Sequence, residues 1–221
     1  MPLLEIIRHA GTSDDTATKA VDLGLRQGKT AIVVKDVPGF YVNRCLGPYI
    51  AETLSLVSDG VEPAKLDKLT TKWGLLVGPI TLADEPPKGK KNKKTVNADA
   101  MNLVKKLQKK DLKLSDKDTA SRLISRFVNE ADLCVQDDII ASPTEDDIGA
   151  VFGFGFPLFI GGPFRYVDKI GSTQFTEMMQ RYADKYCEQF TPARYCKIWP
   201  KPTKNSTRLK TDLPIDNEDS I

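Results

Sequence analysis

Val61-Glu62-Pro63, running through Gly78-Pro79 to Asp84, recurs later in the chain as Ser142-Pro143, running through Gly162-Pro163 to Asp168. Both copies read as a helix, a proline-started helix, a glycine-rich turn, Gly-Pro, and an aspartate six residues after the glycine. Proline is tolerated at the first helical position, where its missing N–H has no intrahelical partner, so each Pro marks a helix start. Each copy follows a long apolar-periodic segment opening on a Val-Asn pair, Val42-Asn43-Arg44 in the first and Val128-Asn129-Glu130 in the second. A duplicated helical unit implies two modules that bury apolar faces against each other.

The chain has 221 residues, 40% of them apolar, which is enough for a buried core in one or two domains. The net charge of +2 points to no nucleic-acid partner, although Lys88, Lys90, Lys91, Lys93 and Lys94 form one dense run. Cys45, Cys134, Cys187 and Cys196 lack C-x-x-C spacing and partner histidines, which argues against a metal site or a disulfide framework and for reduced thiols. No apolar run approaches the roughly 20 residues of a membrane span. Met1 leads into a strand-like segment, so no signal or transit peptide is expected in this chain.

Outward from the repeats, Leu3 to Ile7 reads as a strand, and Ala17, Val21 and Leu25 mark a helix with Ser13 as N-cap and Gly28 as C-cap. Ala31 to Val34 is a second strand, giving a βαβ unit whose neighbouring strands are not in the sequence. Its backbone edges and apolar faces are therefore expected to be uncovered. Leu46, Ile50, Leu54 and Val57 fit one face of a helix over 43–58 kinked at Pro48, and Leu66, Leu69 and Trp73 fit the next. Ala100, Leu103, Val104 and Leu107 suggest an amphipathic helix after the lysine run, and a long helix is expected over 119–140. Ser142-Pro143-Thr144-Glu145 reads as a capping box, and Phe175, Met179, Tyr182 and Tyr186 form the stripe of a last helix over 172–190. The aromatic turn from Phe152 to Phe159 reads as core, and the tail beyond Pro200 as disordered.

Val37-Pro38-Gly39-Phe40-Tyr41-Val42-Asn43-Arg44, placed directly after an apolar strand, is the most specific block. With Leu3-Leu4-Glu5-Ile6-Ile7 before it and Gly78-Pro79 and Asp84 after it, the chain resembles the 3-hydroxyacyl-CoA dehydrogenase family. A second block, Asp147-Ile148-Gly149-Ala150-Val151-Phe152-Gly153 and then Gly161-Gly162-Pro163-Phe164-Arg165, narrows the resemblance to members that join an enoyl-CoA hydratase to the dehydrogenase in β-oxidation. The resemblance covers most of residues 1 to 195.

It implies a mainly α fold, two tandem helical C-terminal repeats preceded by a βαβ remnant of a Rossmann domain. The expected divisions are residues 1–36 for the Rossmann remnant and 37–85 for an incomplete first repeat. A Lys-rich linker over 86–117, the second repeat over 118–195 and a disordered tail over 196–221 follow. In such enzymes a histidine takes the proton of the 3-hydroxyl as hydride passes to NAD, and a glutamate orients and stabilises the imidazolium. Glu5 matches that glutamate, and Asn43 matches an asparagine of the substrate carbonyl site. The resemblance further implies an acyl-CoA substrate, NAD as cofactor in the complete enzyme, a thiolase beta subunit as partner, and a mitochondrial matrix or inner-membrane-surface location.

The matching histidine would lie before Met1, and His9, the single histidine, follows Glu5 and is not its counterpart. No glycine-rich dinucleotide loop is present either, because Gly153-Phe154-Gly155 follows a helix and lacks the third glycine, so this chain alone is expected to bind no NAD. After Glu85 the family's further helices and Gly-Phe-Tyr segment give way to Pro86-Pro87 and lysines. Blander readings stand beside these: Glu5 as a strand-end carboxylate, Asn43 as a helix N-cap, His9 as an exposed loop residue, Asp84 and Asp168 as structural. The lysines from Lys88 to Lys110 read as a solvated connector, with contact to an anionic membrane surface as the sharper alternative. Against the enzyme reading stands a catalytically inactive helical interaction module.

Overall fold

The structure is a computed structural model, and it describes residues 2–83, 112, 114–194 and 196. The amphipathic helix expected from Ala100 to Leu107, the lysine run, Asp84 and the tail beyond Pro200 lie outside the described residues. The described residues form two compact units, one from residues 2–48 with 124–194 and 196 and the other from 49–83 with 112 and 114–123. Two helices, α2 (Val42–Ser58) and the long α5 (Asp116–Gln136), therefore contribute one end to each unit.

In the first unit, β1 (Leu3–Arg8) and β2 (Thr30–Lys35) run parallel, in register from Leu3 with Thr30 to Arg8 with Lys35. Between them lies α1 (Asp14–Arg26), whose first turn is capped by Ser13 Oγ accepting the Thr16 N–H at 3.2 Å. The helix closes with the Lys29 N–H on the Gly24 carbonyl and the Gly28 N–H on the Leu25 carbonyl. That pairing needs a left-handed residue, which Gly28 supplies at φ 68°. Gly24 lets α1 lie close on one face of the strands: a Cβ there would stand 2.8 Å from Leu4 Cδ2.

The opposite face is covered too, which corrects the expectation of bare strands. Ile32 and Val34 are buried, and a Cβ on Gly149 would stand 3.1 Å from Ile32 Cδ1. β2 also gains a neighbour, because the Lys35 N–H donates to the Ile139 carbonyl at 2.8 Å and Val34 makes an antiparallel bridge with Ile140. That bridge explains why the long helix stops early. α5 spans Asp116–Gln136, not 119–140, and Asp138 turns left-handed (φ 54°) to redirect Ile139 and Ile140 into the sheet.

After it come α6 (Pro143–Gly149), a π-helical turn (Ala150–Phe154), α7 (Pro163–Ile170) and α8 (Ser172–Lys185). Ser142 Oγ caps α6 by accepting the Glu145 N–H at 3.3 Å. The expected stripe holds, with Phe175, Met179 and Tyr182 buried, but the last helix ends at Lys185 and a short 3-10 turn (Glu188–Phe190) follows. α5 then grips the chain after it by its backbone. Asn129 donates to the Thr191 carbonyl and accepts the Ala193 N–H, Asp132 accepts the Cys196 N–H at 2.7 Å, and Gln136 accepts the Arg194 N–H at 2.9 Å. The aromatic turn divides: Phe154 stacks on Phe127 and Phe156 is buried, whereas Leu158 and Phe159 are exposed.

The second unit joins the rest of α2 (Val42–Ser58) to α3 (Pro63–Trp73), α4 (Pro79–Ala83) and the head of α5. Leu66, Leu69 and Trp73 are buried as expected. The buried face of α2 differs from the expectation: Cys45, Tyr49, Glu52, Thr53 and Leu56 are inside, whereas Leu54 is 64% exposed. Glu52 can lie inside because Arg122 meets it at 2.5 Å and also reaches Asp59 at 3.0 Å.

The two units share one construction. Asp67 on α3 accepts the N–H groups of Ile80 and Thr81 at the start of α4, at 2.8 and 3.0 Å. Asp147 on α6 accepts the Phe164 N–H at the start of α7, at 2.8 Å. Each aspartate stands four residues after the proline that opens its helix, and each abuts a glycine, Gly78 or Gly162, whose Cβ would overlap the carboxylate.

Candidate active site

Glu5 sits in the middle of β1, on the face shared with Ile32. Its Oε1 accepts the N–H groups of Tyr41 at 2.9 Å and Val42 at 3.1 Å, the free donors at the head of α2. A helix start presents unpaired N–H groups and a positive dipole end, both of which favour a carboxylate. Glu5 is thus the cap of α2, although it lies 36 residues before Tyr41. Asn43 is exposed in the first turn of that helix, one residue beyond the capped amides, so the N-cap role suggested for it belongs to Glu5 instead.

The turn that delivers those amides is tight. Gly39 and Phe40 both take positive φ, 82° and 49°, and the Phe40 N–H closes on the Val37 carbonyl at 3.0 Å. A bulky residue at positive φ is strained, so its surroundings must hold it. Tyr41 does so. Its ring is fully buried against Gly149, where a Cβ would stand 2.6 Å from Tyr41 Cε1. Its hydroxyl reaches Asp146 Oδ1 at 2.9 Å and the Asp146 carbonyl at 3.0 Å. Burial pushes the Asp146 carboxyl well above the usual carboxylate range, with the Tyr41 hydrogen bond opposing, and burial beside Asp146 likewise raises the Tyr41 phenol. Nothing in the sequence singled out this pair. The only signal is a tyrosine inside the motif block and two adjacent aspartates directly before an apolar run.

His9 lies elsewhere, in the exposed turn after β1, with Nδ1 accepting the Gly11 N–H at 3.0 Å. An open cleft of about 500 Å³ there is lined by Arg8, His9, Lys35, Arg44 and Asp137 among others. Its guanidiniums are already matched. Arg44 binds Glu130 at 2.7 Å and Asp137 at 2.9 Å, and although burial opposes its charge, those acids hold it above its ordinary value. Arg8 pairs with Asp14.

Asp168 forms a 3.9 Å ion pair with Arg165, while Asp147 makes the helix cap. Burial pushes the Asp147 carboxyl up to about 6, with the Phe164 and Arg165 N–H groups pulling the other way. Cys45 and Cys134 are buried free thiols with Sγ atoms 3.9 Å apart, and burial raises the Cys45 thiol well above its ordinary value. Among the described residues no cluster of three or more His, Cys, Asp or Glu could hold a metal ion, and no helix is long and apolar enough to cross a membrane.

Among the described residues, the turn from β1 into α1 does not fit a dinucleotide. The turn from β1 into α1 carries Gly11 alone, and the N-terminus of α1 bears Asp14 and Asp15, which repel a pyrophosphate where a binding loop would attract it.

Comparison with known proteins agrees with the motif reading. Residues 1–37 match the NAD binding domain of 3-hydroxyacyl-CoA dehydrogenase, and residues 39–89 match its C-terminal domain. The fatty acid oxidation complex subunit alpha of Vibrio cholerae is 39% identical over 236 residues, covering 87% of this chain and 33% of that protein. The subunit of the same name from Vibrio vulnificus is 38% identical over 235 residues, with the same shares covered. The chain thus spans about a third of the length of these relatives. A crystal structure of 3-hydroxybutyryl-CoA dehydrogenase from Escherichia coli K12 has a similar fold, with a TM-score of 0.69 at 15% identity over 89% of this chain and 67% of that one. Both domain matches meet at the turn that joins Glu5 to α2, and the chain belongs to the 3-hydroxyacyl-CoA dehydrogenase family.

Proposed function

We propose that this chain is the C-terminal part of an NAD-dependent 3-hydroxyacyl-CoA dehydrogenase of fatty acid β-oxidation, which converts 3-hydroxyacyl-CoA to 3-oxoacyl-CoA. The observation that carries the reading is the Glu5 carboxylate held at the head of α2. Its Oε1 is taken up by two backbone N–H groups, which fixes the carboxylate in one orientation. Its Oε2 has no partner among the described residues and is the oxygen assigned to the N–H of a histidine from the rest of the enzyme. A fixed anion there keeps that imidazole in one tautomer and stabilises the imidazolium formed as the substrate hydroxyl loses its proton. Asn43, exposed one residue past the capped amides, is assigned to the substrate carbonyl, toward which its side-chain amide would donate. NAD is assigned to the complete enzyme.

Within this reading, residues 37–85 and 118–195 are two tandem repeats, 1–36 is the end of the Rossmann domain, 86–117 is a connector and 196–221 a tail. The matched Asp67 and Asp147 caps support the repeat relation. We further assign the chain to the alpha subunit of the mitochondrial trifunctional enzyme, with a thiolase beta subunit as partner and an acyl-CoA as substrate. The membrane contact proposed for Lys88 to Lys110 falls outside the described residues.

The test is a hybrid in which the amino-terminal part of the Vibrio cholerae relative, ending where its match to this chain begins, is followed by this chain. NADH formation from a 3-hydroxyacyl-CoA, at a rate proportional to hybrid protein, is the expected result. A folded hybrid that binds NAD and yields no NADH would favour the inactive interaction module.

A further inference from the structure

We infer that Tyr41 and Asp146 are positioning residues for Glu5, joining the second half of the chain to the carboxylate of the first. The inference rests on the dehydrogenase reading for its purpose but not for its geometry. Glu5 is fixed only as well as the two amides it accepts, and those amides follow a turn strained at Phe40. The side chain that anchors that turn is Tyr41, which is 0% exposed, as is Asp146. The tie runs from α6 through Asp146 Oδ1 to the Tyr41 hydroxyl (2.9 Å), through Tyr41 to its own N–H, and on to Glu5 Oε1 (2.9 Å).

A structural tie needs no carboxyl group here, since a leucine–phenylalanine contact would fill the space. Asp146 is instead buried with its Oδ2 unpartnered among the described residues, a costly arrangement for a polar group. What the pair adds over apolar packing is position: a hydroxyl hydrogen-bonded to both the carboxyl and the carbonyl of one residue fixes the tip of the ring, and through the side-chain axis the place of the Tyr41 main chain. Small errors in the placement of a catalytic partner have large effects on rate, so such a tie is worth its burial. Gly149 completes it, because any larger residue would push the Tyr41 ring aside.

Amide hydrogen exchange in the full 221-residue chain tests this without turnover, so its outcome is separate from that of the dehydrogenase reading. Tyr41→Phe is expected to accelerate exchange at positions 41 and 42 on the order of tenfold, while Phe127 and Val128 in α5 stay within about twofold of wild type. Asp146→Asn keeps an acceptor for the hydroxyl and is expected to leave positions 41 and 42 within about threefold of wild type. Should Tyr41→Phe fail to fold, Asp146→Ala, which leaves the hydroxyl only the backbone carbonyl, is expected to accelerate the same two amides by about threefold or more. Unchanged rates at 41 and 42 in the folded Tyr41→Phe or Asp146→Ala protein would overturn the inference. So would equal acceleration of Phe127 and Val128, which would mark a general loss of stability rather than a loosened tie.

Discussion

Glu5 caps α2, and substitution can separate that structural role from the chemical one proposed for it. As the cap of α2 it needs only an acceptor oxygen, which glutamine also supplies. Glu5→Ala removes the acceptor and is expected to destabilise the protein by about 1 kcal/mol, whereas Glu5→Gln should lose less than half of that. Urea unfolding of the two variants measures the difference. Asp147 makes a second residue-scale prediction. Its folded pKa, about 6, lies above the ordinary 3.8, so the folded chain holds this proton more tightly than the unfolded one. Its contribution to stability is therefore present in full below about pH 4 and is lost as pH rises through 6. Asp147→Asn keeps an oxygen for the Phe164 N–H but cannot titrate. Between pH 7 and pH 4.5 the wild type should gain about 2 kcal/mol relative to the variant, measured by urea unfolding at each pH.

At the scale of elements, the sequence was legible where burial follows apolarity. The α1 cap, the proline-started α3 and α6, the turn glycines and the stripe of α8 all lie where the pattern put them. It misled where a polar residue is inside. Glu52 and Thr53 occupy the buried face of α2 because Arg122 meets the carboxylate and the Thr53 hydroxyl donates to the Tyr49 carbonyl at 2.9 Å. Periodicity counts both residues as solvent-facing, and so it selected Leu54 instead. If that account is right, Arg122→Ala should destabilise the protein by about 3–5 kcal/mol, because it strands a carboxylate that is only 3% exposed. Chemical denaturation would read this, and a loss below about 1 kcal/mol would mean that Glu52 reaches water or another cation. Asp84 and Asp168 stood out by spacing from a glycine, whereas the helix caps that the structure describes, Asp67 and Asp147, are spaced from a proline.

For the whole molecule, the motif blocks pointed to Glu5 and Asn43 as candidates, and the fold brings both to the start of one helix. Tyr41 and Asp146 were not found, because their meaning depends on a contact between residues 105 apart. Nor could the sequence show that the βαβ segment is covered on both faces, since Gly149 and Ile139 come from far along the chain. The compact unit holding Glu5 is therefore built from both ends of the described chain. The central claim is that this unit supplies the carboxylate that works with the enzyme's base. The most direct test compares steady-state kinetics of the hybrid dehydrogenase carrying Glu5 with those of its Glu5→Gln variant, which keeps the helix cap. The account predicts that kcat falls by about a hundredfold or more, with KM for the 3-hydroxyacyl-CoA changed by less than about threefold. An undiminished kcat in the folded Glu5→Gln hybrid would contradict it.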